Sequence, residues 1–395
     1  MITRFRVQNY KALRDVTVDL TPVHVLIGPN DSGKTSILEA MAALSRSTDR
    51  PIPHVFAGRW EGRQLVWRAE SESPVILEAE LDVAPSNARY ALAVAFRDHG
   101  RAAILLHEVV IWNDLHIKWP SPYPSESSTT LALLDHPDVS MDDFRPMADA
   151  LRDALRGVLY CRWNPRLLSL PSAPDSARQF QMDPSGFGLA LVLDDILGYD
   201  RDRFAALEQK FRRIFPQIRS IKLLRERGYR APVDPAQPVP LLEAAEGKGL
   251  YFEFASSGRI LPASQVSDGV LLILAYITVL YLPEPPRLLL VEEPENGIHP
   301  KRIDDVLTLL RELVAEQGRT QVVMTTHSPY VVDLFKPEEV TLCRRGEDGA
   351  TTTHRLSNSK AVRDQLDVFT LGEIWTAEGE DRLIKSEAVA TGGPG

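Results

Sequence analysis

The stretch Gly28-Pro29-Asn30-Asp31-Ser32-Gly33-Lys34-Thr35 decides the fold of this chain. It matches the pattern G-x-x-x-x-G-K-[ST], whose glycines let the backbone turn tightly so that its N–H groups surround a phosphate. An apolar run over residues 23–27 precedes it, and a run of helix formers over residues 36–44 follows it. Strand, glycine loop and helix in this order point the positive end of a helix dipole at the phosphate. The stretch therefore predicts binding of a nucleoside triphosphate, with Lys34 on the β/γ-phosphates and the Thr35 hydroxyl on Mg²⁺.

The bulk composition is that of an ordinary soluble chain whose 395 residues suffice for two or three domains. Its formal net charge of −9 argues against wholesale coating of nucleic acid or membrane, but it allows a local basic patch. The two cysteines, Cys161 and Cys343, lack metal-ligand spacing and fit a reducing cytoplasm. No secretory signal opens the chain, and the longest apolar run, 270–282, is too short to cross a bilayer. We therefore expect a cytoplasmic protein with no membrane partner.

The patterns along the chain predict a nucleotide-binding domain in two parts. Residues 1–120 hold the first part, in which the phosphate loop is followed by alternating strands of an antiparallel β subdomain. Residues 121–247 form an inserted, mainly helical region, residues 248–345 return to a strand–helix–strand series, and residues 346–395 form a C-terminal tail. Stretches rich in proline at 120–130 and 232–240 mark the boundaries. The predicted fold class is α/β, with a mixed sheet, an antiparallel β subdomain and an inserted helical region.

A pair of carboxylates, Glu292 and Glu293, follows the aliphatic run at 288–291. A continuous aliphatic run predicts a buried parallel strand, and α/β sheets bind their ligands where such strands end. One carboxylate can hold the Mg²⁺ shell while the other polarises the attacking water. The alternative is a solvated acidic turn after a core strand, which the phosphate loop in the same chain disfavours.

Two further polar clusters lie near apolar segments. The apolar run at 322–324 ends in Thr325-Thr326-His327, where an imidazole can touch a γ-phosphate; a purely structural histidine is the alternative. Ser267-Asp268-Gly269 opens the apolar helix predicted over 271–282. Small polar residues at a helix N-terminus favour an anion site, although an ordinary N-cap has the same composition.

In this order the motifs resemble the ATP-binding-cassette class of ATPases, in its soluble branch with RecF, the structural-maintenance-of-chromosomes proteins and the overcoming-lysogenization-defect family. The resemblance covers residues 1–45 and 248–345. The stretches that carry it are Phe5-Arg6-Val7-Gln8-Asn9-Tyr10-Lys11-Ala12-Leu13, Glu292-Glu293-Pro294-Glu295, Ile298-His299-Pro300 and Thr326-His327-Ser328-Pro329.

The resemblance implies a role for each matching residue. The Walker A loop would be Gly28 to Thr35 with Ser36 after it, and the nucleotide would also meet Lys11, Ser267 and Gly269. The metal ligands would be Thr35 and Glu292, and the catalytic groups would be Glu293, His327 and Lys34. Ser267 and Gly269 would form the signature motif that contacts the γ-phosphate held by a partner protomer, and Asn296 and Gly297 would lie in the loop that crosses the dimer interface. Two departures are a Walker B Glu in place of the commoner Asp and Val-Ser-Asp-Gly in place of Leu-Ser-Gly-Gly.

The implied activity is hydrolysis of ATP to ADP and phosphate with Mg²⁺, by a homodimer or higher oligomer that sandwiches ATP. The resemblance also implies a role in DNA repair or anti-phage defence with a separate effector such as a nuclease. The residues after Pro329 are too few for the Toprim nuclease domain that follows the ATPase in the overcoming-lysogenization-defect proteins. Two other classes stay open: a nucleotide-gated scaffold with little turnover, and a transporter-type ATPase subunit.

DNA is a further candidate partner. Residues 210–230 contain eight Lys and Arg against the single acid Glu226, which indicates a local basic patch in an acidic chain. A solvated helix face or a docking surface is the alternative to contact with a phosphate backbone.

Overall fold

The computed structural model describes residues 1–56, 62–68, 73–83, 86–97, 102–113, 115–120, 128–135, 144–175, 178–230 and 241–385. The boundary predicted at 232–240 lies outside the described residues, as do 121–127 of the first boundary. The sequence also predicts a helix over 141–158, of which 141–143 lie outside the described residues. The chain divides into two compact units. Unit 1 comprises Met1–Val158, Arg287–Glu292 and Arg319–Gly395, and unit 2 comprises Leu159–Pro286 and Glu293–Gly318.

The strands are β1 (Ile2–Tyr10), β2 (Leu13–Asp19), β3 (Val23–Ile27), β4 (Val75–Val83), β5 (Ser86–Arg97), β6 (Ala102–Trp112), β7 (Leu115–Pro120), β8 (Val158–Cys161), β9 (Ile218–Arg230), β10 (Leu241–Phe254), β11 (Ile260–Pro262), β12 (Leu288–Glu292), β13 (Gln321–Thr325), β14 (Val340–Arg345) and β15 (Thr351–Arg355). The helices are α1 (Lys34–Arg46), α2 (Ile52–Val55), α3 (Arg145–Leu155), α4 (Pro165–Leu168), α5 (Leu189–Tyr199), α6 (Arg201–Ile214), α7 (Asp268–Leu280), α8 (Ile303–Gln317), α9 (Pro329–Val332), α10 (Lys360–Gln365) and α11 (Leu371–Lys385). The stretch 346–395, treated above as a tail, thus contains β15, α10 and α11.

Unit 1 contains a six-stranded antiparallel sheet in the order β2-β1-β4-β5-β6-β7. Phe5 of β1 pairs with Val18 of β2 on one side and with Ala79 of β4 on the other, and all three are buried. Burial on alternate residues, such as Phe5 and Val7, is the period of 2 that the sequence shows. The predicted antiparallel β subdomain is confirmed.

The second sheet of unit 1 carries the phosphate loop. Within this unit its strands run in the order β15-β14-β3-β13-β12, with β14, β3, β13 and β12 parallel and β15 antiparallel to β14. Every residue of β3 and of β13 is buried, so neither strand shows the alternation of apolar and polar residues that marks a strand with one solvated face. Because the four parallel strands point the same way, their carboxyl ends lie at one edge of the sheet.

Unit 2 combines helices α4 to α8 with the three-stranded sheet β11-β10-β9. The apolar helix predicted over 271–282 is α7, and every residue from Val270 to Leu280 is buried. Among the described residues, no helix is long and apolar enough to cross a membrane.

Most of the basic segment 210–230 is not helical, contrary to the solvated helix face that was one alternative for it. Helix α6 ends at Ile214, and Ile218–Arg230 is strand β9, so the helix face is wrong for most of this segment. Ile221 pairs with Phe252 of β10, and both are buried, so long-range strand pairing decides the conformation. Several charges also have acidic partners: Lys210 contacts Glu312 at 2.5 Å, while Lys222 at 3.3 Å and Arg219 at 3.5 Å contact Glu253.

Candidate nucleotide-binding site

The phosphate loop closes around its own lysine. The Lys34 ammonium donates hydrogen bonds to the carbonyl oxygens of Gly28 and Pro29, each at 2.8 Å, and to the Ser32 hydroxyl at 3.3 Å. Lys34 is buried, although it carries a charge. A phosphate that enters the loop would compete with these neutral acceptors for the ammonium group, and an ionised acceptor makes the stronger hydrogen bond.

Two glycines let the loop approach the β14–β15 hairpin. Gly28 has a φ of 134°, and a Cβ there would overlap the carbonyl oxygen of Cys343 at close range. Gly33 has a φ of 95°, and a Cβ there would overlap the side chain of Thr351. Both positions therefore require glycine for backbone conformation and for space.

The first turn of α1 and the loop before it contain further residues that are predicted to contact the nucleotide. Thr35 and Ser36 are half-buried residues in this turn, while Asn30 and Asp31 are exposed in the loop before it. Gly33 is the residue just before the helix, and no side chain caps the helix's first N–H groups. Unsatisfied N–H groups at a helix N-terminus bind anions, so this geometry suits a phosphate.

Lys11 lies in the turn between β1 and β2, with a φ of 50°. Its ammonium pairs with the carboxylate of Glu39, a residue of α1. This ion pair ties the first hairpin to the helix that begins at the phosphate loop. Contact between Lys11 and a nucleotide stays a prediction.

The carboxyl end of β12 brings Glu292 to the same edge of the sheet as the phosphate loop. Glu292 pairs in register with Thr325 of β13, and Thr325 pairs with Leu26 of β3, two residues before Gly28. The next residue, Thr326, donates its backbone N–H to the carbonyl of Leu26 at 3.1 Å. His327 follows directly and is half-buried. The structure thus collects the loop, Glu292 and His327 at one edge within unit 1.

Glu293 is the first residue of the second segment of unit 2 and has a φ of 46°, in the left-handed region. For a residue with a Cβ this conformation costs on the order of 1–2 kcal/mol. It starts a turn in which the backbone N–H of Asn296 donates to the Glu293 carbonyl at 3.0 Å, and Asn296 Nδ2 donates to Glu293 Oε2. Non-glycine residues in this region cluster at functional sites, where surrounding contacts hold them.

Within unit 2, the predicted signature residues and the predicted interface loop lie together. A Cβ placed on Gly269 would be 3.4 Å from the Gly297 carbonyl oxygen, so the two segments are in contact. Ser267 is exposed at the N-terminus of α7, and its side chain does not cap the helix. A cavity of about 320 Å³ opens beside them, and its lining includes Phe215, Ser267, Gly269, Gly297, His299 and Arg302. One surface of unit 2 therefore presents both predicted interface motifs.

The donor set fits Mg²⁺ that arrives with a nucleotide. Thr35 and Glu292 offer a hydroxyl and a carboxylate, which are the oxygen ligands that this ion prefers. The described part of the chain contains no group of three or more His, Cys, Asp and Glu residues arranged to hold a metal. Two protein oxygens suit an ion that keeps several waters and takes phosphate oxygens from its nucleotide.

Both cysteines are buried packing groups. Burial raises the pKa of the Cys343 thiol to about 12 and raises that of Cys161 as well. Both thiols are therefore neutral near pH 7 and poor nucleophiles. Sequence reasoning assigned no role to Cys343 or Thr351, because neither belongs to a motif; only their contact with the loop glycines reveals them.

The fold and the ordered motifs define a P-loop ATPase of the ATP-binding-cassette type, related in fold to heads of structural-maintenance-of-chromosomes proteins. Residues 23–333 match the family described as "AAA domain, putative AbiEii toxin, Type IV TA system", and the chain belongs to this family. The resemblance and the fold class predicted from the sequence are confirmed.

The individual proteins to which the chain is similar share little sequence identity with it. The chain is similar to the OLD nuclease of Thermus scotoductus, with 21% identity over 434 residues that cover all of this chain and 72% of that protein. It is also similar in structure to an Smc head bound to the C-winged helix domain of ScpA, with a TM-score of 0.52, 15% identity and coverage of 92% of this chain and 99% of that one. A third similar structure is an Smc head with an extended coiled coil bound to the C-terminal domain of ScpA, derived from Pyrococcus furiosus. Its TM-score is 0.50 and its sequence identity is 12%, and the match covers 93% of this chain and 99% of that one. At these identities the structural likeness shows the fold.

Proposed function

We propose that this protein hydrolyses ATP and that ATP-driven dimerisation regulates a DNA-related or anti-phage process. The observation that carries the proposal is the shared edge of the parallel sheet, where the phosphate loop, Glu292 and His327 lie within unit 1. This convergence of a phosphate cradle, a carboxylate and an imidazole at strand ends is the arrangement that phosphoryl transfer needs.

Each residue has a distinct task in the proposed reaction. The loop N–H groups and the Lys34 ammonium hold the β- and γ-phosphates and offset the charge that develops on them. Thr35 and Glu292 hold Mg²⁺, which neutralises phosphate charge when it is bound. Glu293 accepts a proton from the attacking water, and His327 donates a hydrogen bond to the γ-phosphate.

The case for a dimer comes from unit 2. Ser267 and Gly269 lie beside Gly297 on one surface, and the side chain of Ser267 does not serve its own helix. We propose that this surface closes over the γ-phosphate bound by a second copy of the chain. The left-handed backbone of Glu293 and its bond to Asn296 link the proposed water-polarising group to the same surface.

The biological setting and the partners are inferred from relatives. The family description names a toxin of a toxin–antitoxin system, and the similar Thermus scotoductus protein is named a nuclease. Similar Smc heads are described in complex with a domain of another protein. These descriptions support a defence-related or DNA-related role with a separate effector, such as a nuclease. The exposed basic side chains of Arg212, Arg213 and Arg227 support DNA as a ligand.

The test is the ATPase rate and the solution mass of wild type and Glu293→Gln, with and without duplex DNA. We expect Glu293→Gln to abolish hydrolysis and to accumulate as an ATP-bound dimer, because the amide cannot accept the proton. Glu284→Gln, at an exposed residue before β12, is the matched control and should behave as wild type. A monomeric Glu293→Gln variant with unchanged turnover would contradict both the catalytic assignment and the dimer. A wild type that dimerises with ATP but does not turn it over would instead indicate a nucleotide-gated scaffold.

A further inference from the structure

Thr351 carries a buried hydroxyl that is unpaired among the residues the structure describes. The residue opens β15, is 2% exposed, and its Oγ1 has no hydrogen-bond partner in the described part of the chain. The two threonines that follow it differ: the Thr353 hydroxyl donates to the Thr17 carbonyl at 2.7 Å, and Thr352 is exposed. A buried hydroxyl without a partner is costly, and in native proteins it calls for an explanation.

The unpaired hydroxyl lies against the phosphate loop. A Cβ built on Gly33 would overlap Thr351 Oγ1 and would lie 3.1 Å from Thr351 Cβ, so the threonine touches the loop's backbone. The backbone N–H of Thr351 donates to the Ala12 carbonyl at 2.9 Å, next to Lys11. Thr351 is therefore held where the first hairpin meets the residue that precedes Lys34.

A hydroxyl in this position suits a phosphate oxygen as its partner. The loop glycines and Lys34 are built to hold phosphate, whose oxygens are acceptors only, and a hydroxyl can turn its proton towards such an oxygen. We propose that the Thr351 hydroxyl donates a hydrogen bond to the phosphate chain of the nucleotide in this loop. The proposal rests on the proposed function. It deepens that function by adding a residue that contacts the nucleotide and belongs to none of the sequence motifs.

The test measures ADP binding and thermal stability together, in the presence of Mg²⁺. Thr351→Val keeps the shape and removes the hydroxyl, so we expect ADP affinity to fall at least about tenfold, the effect of one hydrogen bond to a charged acceptor. The Tm without nucleotide should stay the same or rise, because a buried unpaired group is removed. Thr351→Ser restores the hydroxyl and should recover most of the ADP affinity.

Neighbouring threonines provide matched controls. Thr353→Val removes a hydroxyl that is used within the fold, so it should lower the Tm and leave ADP affinity unchanged. Thr352→Val changes an exposed side chain and should alter neither. A Thr351→Val variant that binds ADP as tightly as wild type overturns the inference and leaves only packing for this residue. Weaker binding of ADP with unchanged binding of inorganic tripolyphosphate also overturns it, since the partner would then be the nucleoside part of ADP.

The same measurements of ADP binding distinguish a failure of this inference from a failure of the proposed function. A wild type that does not bind ADP overturns the proposed function and this inference together. A wild type that binds ADP, with a Lys34→Ala variant that does not, supports the nucleotide site whatever Thr351→Val does. If Thr351→Val does not fold, Thr351→Ala tests the same hydroxyl with a smaller side chain, and equal ADP affinity in that variant contradicts the inference.

Discussion

Asn296 donates a hydrogen bond from Nδ2 to Oε2 of Glu293, the carboxylate proposed to polarise water. The donor belongs to the loop proposed to cross the dimer interface, and the acceptor follows the end of β12. One hydrogen bond within a single turn therefore joins the proposed interface loop to the proposed catalytic carboxylate.

This bond predicts that Asn296 orients the carboxylate. Asn296→Ala should lower kcat by roughly tenfold, since one hydrogen bond to an ionised group is lost, and should change KM little. Steady-state ATPase kinetics measure the effect, and solution mass with ATP shows whether the dimer persists. Asn113→Ala, which removes an exposed side chain bonded to Ser86, is the control. A large rise in KM at constant kcat would contradict an orienting role.

The contact between Gly33 and Thr351 predicts a selective loss of binding. Gly33→Ala places a methyl group in the space of the Thr351 side chain at a φ of 95°, so the loop must shift. We expect ADP affinity, measured by calorimetry, to fall at least about tenfold. Gly318→Ala is the matched control, because that glycine has a φ of 62° and open space around a Cβ. It should cost about 1 kcal/mol of stability without affecting ADP affinity.

The exposed position of Ser267 predicts a variant that separates binding from assembly. Ser267→Arg adds a long charged side chain at the N-terminus of α7, on the surface proposed to meet the second copy. Nucleotide binding by the monomer should be retained, while ATP-dependent dimerisation and hydrolysis should be lost. Light scattering and ADP titration measure the two properties. Ser264→Arg, at an exposed residue in the turn before α7, should dimerise normally. A Ser267→Arg dimer would place the interface elsewhere.

His24 predicts a pH dependence of stability. Burial, with a smaller effect from Arg355, lowers the pKa of this fully buried histidine from 6.5 to about 3. The unfolded chain therefore binds a proton that the folded chain does not between these values. Stability attributable to His24 is complete above pH 6.5 and decreases as the pH falls, by about 1.4 kcal/mol per pH unit at most.

A variant without the titrating ring isolates this contribution. His24 bonds the hydroxyls of Thr21 at 3.1 Å and Thr341 at 2.9 Å, so His24→Gln should be less stable than wild type at pH 7.5. Its free energy of unfolding should then decrease less steeply between pH 6.5 and pH 4.5, as followed by urea denaturation. His116→Gln, at an exposed residue of β7, should keep the wild-type slope. Equal slopes for wild type and His24→Gln would show that the ring titrates alike in both states.

Local patterns predicted much of the fold. The continuous aliphatic run at 288–291 predicted a buried parallel strand, because a strand covered on both faces has no polar side, and it forms β12. The secondary structure of the basic segment at 210–230 was harder to predict. Its charges favour a solvated face on a helix as well as on a strand, and the pairing of Ile221 with Phe252 decides between them.

By itself the sequence determined which chemical groups the chain has and their order along it. These groups are a phosphate loop, a carboxylate pair after one strand and a histidine after another. These motifs are short and local, so their residue types and spacing identify them. Only the tertiary structure decided which distant groups meet them, as when Thr351 touches Gly33 and Cys343 touches Gly28. The physical reason is that side-chain periodicity reports which face of a strand is buried, whereas the neighbouring strand and its register follow from packing the whole sheet.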